Sequence, residues 1–123
     1  MQTYGWADSG GLRIIHNTIY SAETEGEFSL SNWQSGSSAV ALSEGQYDLT
    51  IANNLFAGGS YTMYGPSQHG ASPANVHIAN NRFSNKYYPR CGAYGTHSGF
   101  NPGAPGFLWS GNVWHETGRT VWP

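Results

Sequence analysis

Two stretches decide the reading: Leu49-Thr-Ile-Ala-Asn-Asn-Leu-Phe56 and Val76-His-Ile-Ala-Asn-Asn-Arg-Phe83. They align without gaps, and Arg13-Ile-Ile-His-Asn-Thr-Ile-Tyr20 and Phe107-Leu-Trp-Ser-Gly-Asn-Val-Trp114 join them. One column then holds Ile15, Ile51, Ile78 and Trp109, and a second holds Asn17, Asn53, Asn80 and Gly111. Thr18, Asn54, Asn81 and Asn112 make a third; Tyr20, Phe56, Phe83 and Trp114 close the set. Such self-similarity marks stacked units, each too small to bury its apolar face alone. The units begin at residues 13, 49, 76 and 107. That spacing is too irregular for helical repeats and suits stacked turns joined by loops of varying length.

Within a unit, apolar residues two apart (Leu49 and Ile51, Val76 and Ile78) predict a short strand with one face buried. The Asn or Gly that follows tolerates a left-handed backbone, so the chain bends there. The next Asn turns inward and hydrogen-bonds its equivalent one turn away, and a second strand follows with its aromatic inward. A third short strand is expected at Ala39-Val-Ala-Leu42, Tyr61-Thr-Met-Tyr64 and Gly92-Ala-Tyr94. Three strands per turn, paired in parallel, describe an all-β right-handed parallel β-helix of about four coils. The expected layout is one domain over 1–123, with a lead-in at 1–10, coils at 11–118 and a tail at 119–123.

Composition agrees. The chain has 123 residues, of which 10% are charged and 15% aromatic, with 17 Gly and 6 Pro. Turn formers disfavour long helices, and the aromatics supply too much burial for a disordered tail. The net charge of −2 and the scattered cations Arg13, Arg82, Lys86, Arg90 and Arg119 give no basic stripe. A duplex nucleic acid and an anionic membrane are therefore not expected as partners. The N-terminal residues hold no apolar signal-peptide core, so nothing exports the chain as given and its location stays open. Cys91 is the single cysteine and reads as a core filler.

The stretches Ile51-Ala-Asn-Asn-Leu-Phe56, Ile78-Ala-Asn-Asn-Arg-Phe83 and Trp109-Ser-Gly-Asn-Val-Trp114 resemble the right-handed parallel β-helix repeat proteins, the superfamily of pectate lyases and polygalacturonases. The resemblance spans about residues 11 to 118 and implies a carbohydrate-active protein, a lyase, a hydrolase or a polysaccharide binder along an outer sheet. Longer relatives of this fold are commonly secreted. Two departures stand out. The usual N-terminal cap is missing, and a stack of about four coils is short for the family. The chain reads as the C-terminal part of a longer solenoid. Both ends are expected to present bare strand edges, which a homo-oligomer would cover.

Chemistry is expected where successive turns align. His69 and His97 each follow a Tyr-Gly pair, Tyr64-Gly65 and Tyr94-Gly95, and Glu44 follows Leu42 one turn earlier. Stacked about 4.8 Å apart, these three would hold a divalent metal, zinc ahead of calcium, or serve as an acid–base pair without one. They are the expected catalytic and metal-binding residues, suited to a small ester-type substrate as the alternative to polysaccharide. The site would then be completed at a subunit interface. A non-catalytic assembly module is the third reading.

Trp33, Tyr64, Tyr94 and His77 are the expected substrate-binding residues, with His77 pointing outward level with Thr50. His16 is placed at the first bend, level with Ala52, Ala79 and Ser110, and exposed. Trp109 and Trp114 are assigned to the core, and Trp6 and Trp122 to covering the ends. Glu23, Glu25 and Glu27, two apart, are a weaker calcium candidate that Gly26 turns toward a loop. A triplet of aspartates is excluded by count, since only Asp8 and Asp48 exist. No nucleophile elbow, metalloprotease helix, Walker loop or dinucleotide fingerprint is present.

Overall fold

The computed structural model describes residue 1, residues 10–21 and residues 38–123. Trp6, Asp8, Glu23, Glu25, Glu27 and Trp33 lie outside the described residues. Among those described, eleven strands form an all-β protein: β1 (Arg13–Ile15), β2 (Thr18–Ser21), β3 (Val40–Ala41), β4 (Leu49–Ala52), β5 (Leu55–Gly58) and β6 (Tyr61–Tyr64), then β7 (Val76–Ala79), β8 (Arg82–Phe83), β9 (Gly95–Ser98), β10 (Leu108–Ser110) and β11 (Val113–Trp114). Among the described residues the helical content is one 3-10 turn, Gln68–Gly70.

The strands sort into three sheets, ordered β1-β4-β7-β10, β2-β5-β8-β11 and β3-β6-β9. Every strand pairing within them is parallel. The chain visits the first, second and third sheet in turn and then returns to the first. Between the sheets lies one apolar core containing Ile14, Val40, Leu49, Ile51, Phe56, Met63, Val76, Ile78 and Phe83.

Register corrects the first unit by one residue. Ile14, not Ile15, pairs with Ile51, and Ile19, not Tyr20, pairs with Phe56. The inward columns are therefore Ile14/Ile51/Ile78/Trp109 and Ile19/Phe56/Phe83/Trp114. Tyr20 stands opposite Ala57 and is exposed. The shift has a backbone cause. His16 has φ 59, matching Asn53 at 58, Asn80 at 55 and Gly111 at 63, so His16 occupies the bend and Asn17 the inward position. Histidine, like asparagine, enters the left-handed region more readily than most residues.

A second left-handed column precedes the first sheet: Gly11 (φ 86), Asp48 (49), Asn75 (57) and Gly106 (70). Each unit thus enters and leaves its first strand through a residue of this kind, five positions apart. The lowest members of both columns are glycine for an added reason. A Cβ on Gly106 would collide with Asn75 Oδ1, and one on Gly111 with Asn80 Oδ1.

The inward asparagines form a ladder. Asn17 Nδ2 donates to Asn54 Oδ1 at 3.2 Å, Asn54 Nδ2 to Asn81 Oδ1 at 2.9 Å, and Asn81 Nδ2 to Asn112 Oδ1 at 3.0 Å. The backbone N–H of each upper residue donates to the same oxygen. The second amide hydrogen goes to a first-sheet carbonyl of the turn above: Asn54 to Ile14, Asn81 to Ile51, Asn112 to Ile78. Asn54, Asn81 and Asn112 are buried, and burial of such polar groups is tolerable because their partners are present.

The ends differ from the expected bare edges. After β11 the chain turns back, so that Thr120 bridges Val113 antiparallel, Trp114 N–H donates to Arg119 O and Val121 N–H donates to Asn112 O. Val121 is 5% exposed and its carbonyl accepts from Trp109 Nε1 at 2.7 Å. This segment covers the edge of β11, while Trp122 stays exposed. At the other end Met1 lies along β3, its N-terminus donating to Ala39 O and its carbonyl accepting from Ala41 N–H.

Candidate functional site

Glu44 and His69 meet as expected. His69 Nδ1 lies 3.2 Å from Glu44 Oε2, with the two side chains 82% and 49% exposed. The 3-10 turn holds His69 at φ 50, and Gly45 N–H donates to Pro66 O beside it. In water such a pair contributes little to stability, but it places an imidazole and a carboxylate within proton-transfer reach.

His97 does not join them. The two Tyr-Gly pairs are not equivalent: Tyr64 ends β6, whereas Gly95 begins β9 opposite Tyr61. The third strand of that turn is Gly95–Ser98, in place of the expected Gly92-Ala-Tyr94, and His97 stands level with Met63. Met63 is fully buried, so His97 belongs to the inward column of the third sheet. Its ring packs 4.4 Å from Trp109 and 5.9 Å from Phe100, with Nδ1 2.9 Å from Thr96 Oγ1. Burial lowers its pKa below the usual histidine value, favouring the neutral imidazole. Among the described residues no three His, Cys, Asp or Glu side chains converge to hold a metal ion. Of the three expected ligands, Glu44 and His69 meet, and His97 lies on the inward column against Trp109.

Tyr64 and Tyr94 do come together, with Tyr61 between them. Tyr61 lies 5.4 Å from Tyr64, edge on, and 5.7 Å from Tyr94, tilted at 45°. Gly95 lies beside the Tyr61 ring, at a distance where a Cβ would make ordinary van der Waals contact. Tyr94 is exposed, and Tyr61 and Tyr64 are half-buried. Tyr64 also ends the strand that leads to the turn carrying His69. His77 lies elsewhere, on β7, level with Thr50 and Leu108 on the first sheet.

A second aromatic pair, Tyr20 and Tyr87, sits edge to face at 5.9 Å. The Lys86 ammonium lies 5.9 Å and 5.7 Å from the two ring centres, so a cation already occupies this pair.

A concavity at the bend escaped the sequence reading. An open groove of about 620 Å³ follows the bend between the first and second sheets, lined by His16, Asn53, Asn80, Thr18, Leu55 and Arg82, with Gly111 and Val113 at its lower end. The signal was present as the recurrence of Gly11…His16, Asp48…Asn53, Asn75…Asn80 and Gly106…Gly111, which places the bends at one level.

Two further polar sites are structural in character. Cys91 is fully buried, with Thr62 Oγ1 donating to its sulfur at 3.2 Å, and burial pushes its pKa up to about 11. Such a thiol is unreactive, as a core filler would be. Glu116 accepts from Ser84 Oγ at 2.5 Å and from Asn85 N–H at 3.0 Å. Partial burial opposes its charge, but these hydrogen bonds outweigh it and hold its pKa below the usual value. Compared with family models, curated proteins and solved structures, the chain matches none.

Proposed function

We propose that the protein is a right-handed parallel β-helix that binds polysaccharide along the outer face of its third sheet. Right-handedness is supported by the strong preference of parallel crossovers for that hand. The cyclic order of the sheets supports the helix itself.

The tyrosine cluster carries the binding reading. Three rings gather beside the third sheet, one exposed and two half-buried. Aromatic faces pack against the C–H faces of sugar rings while the phenol ends stay wet. Tyr20 and Tyr87 offer less, because Lys86 lies over them.

Calorimetric titration with neutral oligosaccharides tests this reading. Tyr94→Ala is expected to weaken binding roughly tenfold, the upper range for an aromatic contact. Equal affinity in the variant and the parent protein would refute it.

The Glu44–His69 contact favours one elaboration: a glycan seated on the tyrosines would have an acid–base pair at its edge, as a hydrolase or lyase requires. Product formation lost in both Glu44→Gln and His69→Ala, with binding retained, is the expected result. A partner copy, also proposed, would meet the end formed by β1 and β2, since Met1 lies along β3 and the returning Thr120 and Val121 pair the other end. Light scattering is expected to report a dimer; a stable monomer refutes the partner.

A further inference from the structure

We infer that the groove at the bend between the first and second sheets is a separate binding site for a sugar chain bearing an anionic oxygen group, with Arg82 as the partner of that anion. Arg82 is exposed on β8 and makes no ion pair among the described residues. A guanidinium lining an open groove without a carboxylate partner among the described residues is matched by a ligand oxyanion, which it grips through paired N–H donors.

The rest of the groove fits sugar rather than another polyanion. Leu55 and Val113 flank Arg82 on the neighbouring strands, at the register positions directly above and below it. They give an apolar seat beside the charge, suited to the C–H face of a pyranose. Along the bend, His16, Asn53 and Asn80 follow one another at about 4.8 Å intervals. The Asn53 and Asn80 carboxamides line the groove and make no side-chain hydrogen bond among the described residues, so they can pair with hydroxyl groups of a bound sugar.

A nucleic acid would demand a row of cations and aromatic platforms for its bases. The groove has one guanidinium and no Phe, Tyr or Trp in its lining, in a chain of net charge −2. No carboxylate lines it either, so the site binds and has no acid–base pair of its own. It is independent of the tyrosine cluster, which belongs to the third sheet.

The anionic group has two chemical sources, a sugar carboxylate or a sugar sulfate. Calorimetry with a uronate trisaccharide, a sulfated trisaccharide and their neutral counterpart separates them. At least one anionic probe is expected to bind, at least tenfold more tightly than the neutral one, and the tighter of the two names the source. Its affinity is expected to fall as salt rises. Arg82→Met keeps the stem, removes the charge and is expected to lose at least tenfold for that probe. Asn80→Ala, on the neighbouring bend position, is expected to lose a smaller factor. Arg90→Met, which removes a charge from the loop before β9, is expected to bind as the parent does. Circular dichroism confirms that each variant is folded. Equal binding by Arg82→Met and parent, equal binding of neutral and anionic probes, or no binding of either anionic probe overturns the inference. Retained neutral-glycan binding in Arg82→Met shows that the tyrosine site stands or falls separately.

Discussion

Asn54 Nδ2 donates to Asn81 Oδ1 at 2.9 Å, directly along the stacking direction, and the Asn54 backbone N–H shares the same oxygen. One carboxamide therefore terminates two buried donors of the turn above while its own amide serves Ile51 O and Asn112 Oδ1. Asn81→Ala orphans the buried Asn54 donors. Each buried group left unpaired costs about 1–3 kcal/mol, so a loss of about 2–5 kcal/mol is expected. Asn17→Ala, at a half-buried position, is expected to cost about 1 kcal/mol or less. Urea unfolding of the two variants measures the contrast.

The left-handed bends give a second contrast. Gly111 and Gly118 have similar φ values, 63 and 69, but a Cβ at Gly118 meets nothing within 4 Å, whereas at Gly111 it meets Asn80 Oδ1. Gly118→Ala is expected to cost about 1 kcal/mol, the backbone strain alone. Gly111→Ala adds a steric clash and is expected to cost about 1–3 kcal/mol more. Equal thermal midpoints for the two variants would show that the Asn80 contact does not constrain the bend.

These elements also show what could be read from sequence. Asn54, Asn81 and Asn112 were legible because their units share Ile or Trp three residues earlier, where a buried strand position precedes the bend. The first unit was misread because Asn17-Thr18 resembles Asn53-Asn54, although His16 fills the left-handed position. Gly and Asn signal such a position more strongly than His, so His16 is the weakest mark in its column. The Tyr-Gly pairs misled for another reason. Loop length decides where a strand begins, so identical dipeptides ended β6 and opened β9. Tyr64 and Tyr94 nevertheless meet, because Tyr61 bridges the three-residue offset. The Arg82 groove was invisible as a composition feature, since a single cation acquires meaning only from the column it occupies.

His97 makes stability depend on pH. Its folded-state pKa lies below the ordinary 6.5, because desolvation among Trp109, Phe100 and Met63 penalises the imidazolium. Between the two values the unfolded chain binds more protons than the folded one, so stability rises with pH there. The contribution is complete above about pH 6.5, declines as pH falls from 6.5 toward the folded value, and changes no further below it. Urea titrations at pH 8 and pH 5 are expected to show a smaller pH effect in His97→Phe than in the parent. An identical effect in both would remove His97 as the cause.

The central functional claim is the location of the glycan on the third sheet. Nuclear magnetic resonance titration with a neutral oligosaccharide reads it through the tyrosine ring protons. The account predicts saturable shifts for Tyr61, Tyr64 and Tyr94, with Tyr20 and Tyr87 unmoved. Shifts confined to Tyr20 and Tyr87, or no saturable shift in the third-sheet rings, would contradict it.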